Sequence, residues 1–230
     1  MKAINRIGAT VQWSGGNQMA SIYDEMVEKT KEKIQQSFLQ LLKEKNFMKV
    51  SVRDITEAAE INRGTFYLHY LDKYDLLDQM EEGLLLDLEK HLERLKPDVL
   101  LEEAEKGNIS MHAVEVFRYI QMNAERFQVF LGENNHIGFH KRLKQFFVEH
   151  FMDKMMKNKN FFKGVAVPQD YLSSFATSAF LGLIEQWLEN GLAETSSEMA
   201  EMYIQIIFFI KNLWFCRIHK KGSYPKSNLG

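Results

Sequence analysis

With 230 residues, 45% of them hydrophobic, the chain can bury a core large enough for one small and one larger domain. Its formal net charge of −2 excludes a histone-like coat for nucleic acid, whose affinity would come from counterion release over many cationic contacts. The single cysteine, Cys216, excludes an intramolecular disulfide framework and suits a reducing cytoplasm, and three prolines in so long a chain favour an all-α fold.

Residues 1–20 contain Gly8, Ser14, Gly15, Gly16 and Asn17 without helical periodicity, and read as a flexible N-terminal arm with Met19 a second candidate start. Their basic opening lacks the continuous apolar core of a secretory signal. A first helix is expected from Asp24 to Lys45, with Ile34, Phe38, Leu41 and Leu42 turned inward and Asn46-Phe47 ending it.

From Val50 to Leu77 the chain reads VSVRDITEAAEINRGTFYLHYLDKYDLL. In a helix over Val52–Ala59, Val52, Ile55 and Ala59 fall at i, i+3 and i+7 on one face and leave Arg53, Asp54 and Glu57 outside. Glu60-Ile61-Asn62 breaks that helix, and Asn62 suits the next N-cap because its side-chain oxygen accepts from the first turn's unpaired amides. Over Arg63–Tyr70, Phe66 and Tyr70 share a face directed back at Ile55 and Ala59, so Arg63, Gly64, Thr65 and Tyr67 face outward.

A recognition helix turns its N-terminal residues toward base edges in the major groove of duplex DNA. Gly64 is costly in a helix chosen only for stability, and makes sense where a backbone must come close to a base pair. The planar forks of Arg53 and Arg63 suit guanine O6 and N7, while Thr65 suits a thymine methyl or a phosphate. Tyr67, His69 and Lys73 follow on the flank, where they can reach phosphate oxygens. Between Ser21 and Lys73 nine Lys/Arg face nine Asp/Glu, so the segment is a sparse reader that depends on a second copy of itself.

The segment resembles the DNA-binding domain of the TetR family of one-component transcriptional regulators. Ile55-Thr56, Ala59-Glu60-Ile61-Asn62, Gly64 through Tyr70, Lys73 and Leu76-Leu77 stand in the family's places with the spacing kept. Thr56, Glu60 and Asn62 replace its Ala, Gly and Ser, and Glu60 occupies a turn that asks for a positive φ. The resemblance implies an all-α protein: a three-helix DNA-binding domain with a helix-turn-helix over 21–75, then a larger helical regulatory and dimerisation domain over 76–216. A basic tail, 217–230, follows.

In that second part, Leu76, Leu77, Met80, Leu84, Leu88 and Leu92 predict a long helix to Lys96, where Pro97 stops it, and Glu102–Asn108 reads as a polar link. Helices are expected from Ser110 to Met122, Asn123 to Leu131 and Ile137 to Lys157, with a loop over Asn158–Val167. Pro168 opens a helix to Glu189 with Gly191 as its stop, and Thr195 with Glu198 has the capping-box spacing for a last helix to Cys216. The apolar stretch Met202–Phe215, interrupted by Gln205, Lys211 and Asn212, is too short to span a bilayer.

The two final helices are apolar over more than one face and so need partners on two sides, which a second chain supplies in a C2 dimer. Phe175, Ala179, Gly182, Leu183, Ile206 and Ile210 are the expected interface, and the Gly182–Gly191 run is similar to the C-terminal region of one branch of the family. A dimer implies a palindromic operator. For a small lipophilic effector the expected lining is Phe117, Met122, Phe127, Phe146, Phe147, Phe151, Phe175 and Trp187, with Tyr119, Phe130 and Met155 beside them; core filling explains the same pattern.

His136 and His140 stand at i, i+4 but lack the intervening Glu of a zinc-protease helix, so they read as surface histidines. No phosphate-binding glycine loop, serine elbow or redox cysteine pair is present, so no catalytic residue, metal or cofactor is expected. The leading expectation is a cytoplasmic, dimeric repressor of double-stranded DNA sites. Its alternatives are an activator or a regulator answering to a protein partner, and, from another class, a helical enzyme or lipid carrier.

Overall fold

The computed structural model describes residues 15–132, 138–157 and 167–206. Among these the secondary structure is helical, and the chain divides into two compact units between Leu76 and Leu77.

The first unit holds α1 (Gly15–Glu44), a 3-10 turn (Phe47–Lys49), α2 (Val52–Ala58), α3 (Arg63–Tyr67) and the start of α4 (Lys73–Leu92). Helix α1 starts well before the expected Asp24, so the arm gives way to helix from Gly15; residues 1–14 lie outside the described residues. Its polar N-terminal half is compatible with helix because Glu25 pairs with Lys29 and Glu28 with Lys31 one turn apart. Ile34, Phe38 and Leu42 are buried as their spacing predicts, joined by Leu39, while Leu41 is half-buried. Ile55, Ala59, Phe66 and Tyr70 complete this core.

The second unit contains the rest of α4, then α5 (Pro97–Glu105), α6 (Met111–Met122), α7 (Ala124–Leu131), α8 (Phe139–Phe147), a π-turn (Val148–Met152), α9 (Asp153–Lys157), α10 (Gln169–Glu189) and α11 (196–206). Helix α5 corrects the expected stop and polar link. Pro97 opens it, since a first-turn proline lacks only an N–H that has no helical acceptor and its φ is already helical. The helix closes at Gly107, whose φ of +76° lets the Asn108 amide donate to the Glu103 carbonyl at 2.8 Å.

The helix expected over 137–157 is found from Phe139, with the π-turn widening its middle. Polar side chains tie this stretch to α4: Arg142 reaches Glu81 at 3.2 Å and His150 Nδ1 meets Glu89 at 2.8 Å. Helix α10 packs on α7, α8, the π-turn and α9. Its Phe180 and Trp187 meet Phe117, and Tyr203 stacks edge-on against Phe180 with centroids 5.0 Å apart. The capping box forms as its spacing predicts: Thr195 N–H donates to Glu198 Oε2 at 2.8 Å, and Glu198 N–H to Thr195 Oγ1 at 3.3 Å. The expected continuation to Cys216, the 217–230 tail and the loop over 158–166 lie outside the described residues.

Candidate nucleic-acid interface and apolar cavity

Helices of seven and five residues are too short to persist alone, so α2 and α3 depend on their ends. Ser51 opens α2: its Oγ accepts from the Asp54 amide at 3.2 Å while Asp54 Oδ2 accepts from the Ser51 amide at 2.8 Å and hydroxyl at 2.6 Å. Lys45 Nζ adds a bond to Asp54 Oδ1 at 3.2 Å. These donors, Ser51 hydroxyl first, pull the Asp54 carboxyl down to about 2. At the other end Glu60 takes a φ of +50°, the conformation its turn asks for, and the Ile61 amide then closes on the Thr56 carbonyl at 3.0 Å.

Asn62 caps α3 as expected, Oδ1 accepting from the Thr65 amide at 2.7 Å. A Cβ at Gly64 would stand 3.1 Å from that oxygen, so the glycine also serves the cap. Phe66 faces inward with none of its surface exposed, and the Tyr70 hydroxyl accepts from Gln35 Nε2 at 3.2 Å. Burial pushes the Tyr70 phenol pKa up.

With that face fixed, Arg63, Gly64 and Tyr67 are exposed together and Thr65 is half-buried beside them. Arg63 Nη2 donates to the Tyr67 hydroxyl at 3.2 Å and its guanidinium lies 5.9 Å from the ring centre, so fork and phenol are presented as one polar edge. Arg53 projects from α2 with Nε on Glu57 Oε1 at 2.7 Å; that bond, foremost, raises its pKa. So exposed a pair is weak enough for a nucleic acid to displace. His69 is half-buried.

Lys73 is the correction. Its ammonium donates to the carbonyls of Phe47, Met48 and Val50 at 3.0, 3.2 and 2.8 Å and sits 4.6 Å from the Phe47 ring centre. All three N–H donors are thereby used, so Lys73 staples the 3-10 turn to the start of α4 instead of reaching outward for a phosphate. Burial lowers its pKa, the largest influence on it, against Asp54 and Asp72. Sequence reasoning also passed over Leu68 and Leu71, which are 81% and 82% exposed beside α3. The available signal was their position outside the Phe66–Tyr70 spacing.

In the second unit, Phe117, Phe147, Phe151 and Met155 line one apolar cavity, joined by Met152, Thr177 and Phe180. The other expected lining residues lie elsewhere. Met122 is 80% and Phe175 59% exposed, because α6 and α10 turn those positions outward. Phe127 is buried edge-on to Tyr119, Phe146 stacks on His150 with centroids 4.5 Å apart, and Trp187 is buried with Nε1 donating to the Glu194 carbonyl at 3.0 Å. Of the expected interface, Phe175, Ala179, Gly182 and Ile206 are exposed and Leu183 half-buried, while Ile210 lies outside the described residues. His140 faces Glu185 at 3.3 Å; His136 lies outside the described residues. Among the described residues no three His, Cys, Asp or Glu side chains group as metal ligands, and no helix is long and apolar enough to cross a membrane.

Residues 39–80 match the family model for bacterial regulatory proteins, tetR family, and residues 107–208 match a transcriptional regulator C-terminal region of TetR type. An uncharacterized HTH-type transcriptional regulator of Bacillus subtilis (strain 168), YxbF, is 28% identical over 115 residues, which is 47% of this chain and 30% of that protein. This chain thus spans under a third of that relative. A TetR transcriptional regulator from Streptococcus agalactiae 2603V superposes with a TM-score of 0.54 at 25% identity, covering 82% of this chain and 98% of that one. NalD of Pseudomonas aeruginosa, the secondary repressor of an efflux pump, shares the fold with a TM-score of 0.57 at 21% identity over 80% of this chain and 96% of its own.

Proposed function

Because the chain belongs to the TetR family of bacterial transcriptional regulators, we propose that it is a repressor: a homodimer that binds a palindromic operator and is released when an effector occupies the C-terminal unit. The observation that carries this reading is the outward edge of α3, where Arg63, Gly64, Tyr67 and Leu68 are exposed while Phe66 is fully buried. Arg63 reads a guanine, Leu68 packs on a thymine methyl, and Tyr67 bonds a phosphate. Arg53 adds a second fork, with Asn62, Thr65 and His69 completing the surface. Lys73 acts at one remove, by holding the scaffold.

So few cationic contacts in a segment of zero net charge need a partner subunit to reach useful affinity. Helix α10 supports that partner: Tyr171, Phe175, Ala179 and Gly182 run along its exposed side, and a Cβ at Gly182 would meet nothing within 4 Å. A second α10 can lie close along such a stripe and bury it.

Selection of genomic fragments by the full-length protein tests the reading. We expect enrichment of a palindrome whose half-sites are separated by a whole number of turns of about 34–36 Å. Arg63→Ala should relax base preference within each half-site, and Tyr67→Ala should weaken binding to all duplexes alike. Phe175→Glu should yield a monomer in sedimentation that no longer retains the operator. Enrichment without any inverted repeat would overturn the dimeric repressor.

A further inference from the structure

We propose that the cavity of the second unit takes an uncharged, predominantly apolar molecule carrying one hydrogen-bonding group, and that Thr177 Oγ1 is the atom that meets that group. The inference rests on the effector reading above and narrows it to a ligand class.

The cavity measures about 60 Å³ and is walled by aromatic and aliphatic side chains from α4, α5, α6, the end of α8, the π-turn, α9, α10 and α11. Among its described lining residues none is Asp, Glu, Lys, Arg or His; Thr177 and Tyr203 are the polar ones. Burial holds the proton on the Tyr203 phenol by raising its pKa. A carboxylate or ammonium entering here would lose its hydration and find no counter-charge on that lining, so charged ligands are excluded by desolvation.

Thr177 supplies the positive half of the argument. It is 1% exposed, yet its hydroxyl has no hydrogen-bond partner among the described residues. A helical hydroxyl can turn back on a carbonyl one turn earlier, as the neighbouring, exposed Ser178 does on the Ser174 carbonyl at 2.8 Å. Valine would fill the same volume without burying an unpaired donor, so the hydroxyl has a use that the described residues do not satisfy. His91 Nδ1 and Glu103 Oε2 are also buried without partners among the described residues, but neither residue lines the cavity.

Size sharpens the class. An apolar cavity of roughly 150 Å³ accepts benzene, so a one-ring ligand enters this smaller one only as the wall gives way. Met152 and Met155 are the side chains able to do that, being unbranched and soft. The π-turn that carries Phe151 and Met152 belongs to a class of irregularity common where helices bind ligands.

Calorimetric titration of the full chain, free of DNA at pH 7, with p-cresol, toluene, benzoate and benzylamine tests the proposal. We expect p-cresol to bind at least tenfold more tightly than either ion and severalfold more tightly than toluene. Thr177→Val should abolish the preference of p-cresol over toluene while leaving toluene binding unchanged, the latter showing that the cavity is intact. An ion binding as tightly as p-cresol, an unaltered preference in Thr177→Val, or no saturable binding of either neutral probe would each overturn it. Operator retention measured beside the titration separates the two readings: p-cresol binding with no change in operator affinity supports the ligand class and overturns effector control.

Discussion

The two units hold short helices in opposite ways. In the first, α2 and α3 are fixed by polar groups acting over a few residues: the Ser51–Asp54 box, the Asn62 cap, the left-handed Glu60 and the Lys73 staple. In the second, longer elements are fixed by rings that meet across the sequence, Phe117 touching Phe180, Trp187 and Tyr203. The difference follows from task. A surface that must present polar edges to DNA cannot be buried, so its geometry comes from its termini; a unit that encloses an apolar cavity can be built from apolar bulk.

The largest effect should come from the ring cluster. Phe117→Ala should lower the stability of the second unit by about 3–5 kcal/mol in urea unfolding, the usual loss for a buried phenylalanine. Amide exchange in residues 47–67 should stay close to that of the parent chain. Faster exchange there would show that the first unit leans on the second and would break the contrast.

Next comes the staple. Lys73→Met keeps the stem and removes three bonds to carbonyls, and should cost about 2–3 kcal/mol, with accelerated amide exchange at Lys49 and Val50. If Lys73→Met stayed as stable as the parent and lost operator affinity alone, Lys73 would be a phosphate contact after all.

The capping box ranks third. Ser51→Ala should cost about 1 kcal/mol at neutral pH. Because Asp54 is lowered in the folded state from its ordinary 3.8 to about 2, its contribution is present above the ordinary value and is lost as pH falls through that window. Ser51→Ala removes the foremost cause of the lowering, so the decline in stability between pH 4 and pH 2 should flatten. An unchanged acid limb would take Asp54 out of the contrast.

Glu60→Gly should be the smallest change and of opposite sign, stabilising by up to about 1 kcal/mol as the positive φ loses its strain. The exposed Lys33 pair at 3.0 Å that goes with it contributes little. Destabilisation in thermal melts would mean the turn is held by that pair.

The same division governs what is legible in the sequence. Local polar signals read well: Asn62 as a cap and Thr195 with Glu198 depend on neighbours within four residues, whereas the positive φ at Glu60 is legible through the family resemblance. Inward faces of single helices read well too, as at Ile34, Phe38, Ile55 and Phe66. Pro97 is ambiguous, since proline both ends one helix and opens another. Lys73 escapes such reading because its acceptors lie more than twenty residues back and are backbone atoms, which carry no residue-type signal. The cavity is half legible for a like reason: periodicity marks Phe117, Phe147 and Phe151 as inward, but does not separate them from Phe127 or Phe146, whose partners are set by packing between helices.

Trp187 carries a practical consequence. Its indole is buried, donates to the Glu194 carbonyl and lies edge-on against Phe117, which also lines the cavity. With Trp13 and Trp214 replaced by Phe, its blue-shifted emission becomes an internal optical reporter of what enters beside it. Quenching or a spectral shift on adding a solute then screens compound collections in microlitre wells, with no label and no operator, whichever genes this regulator controls.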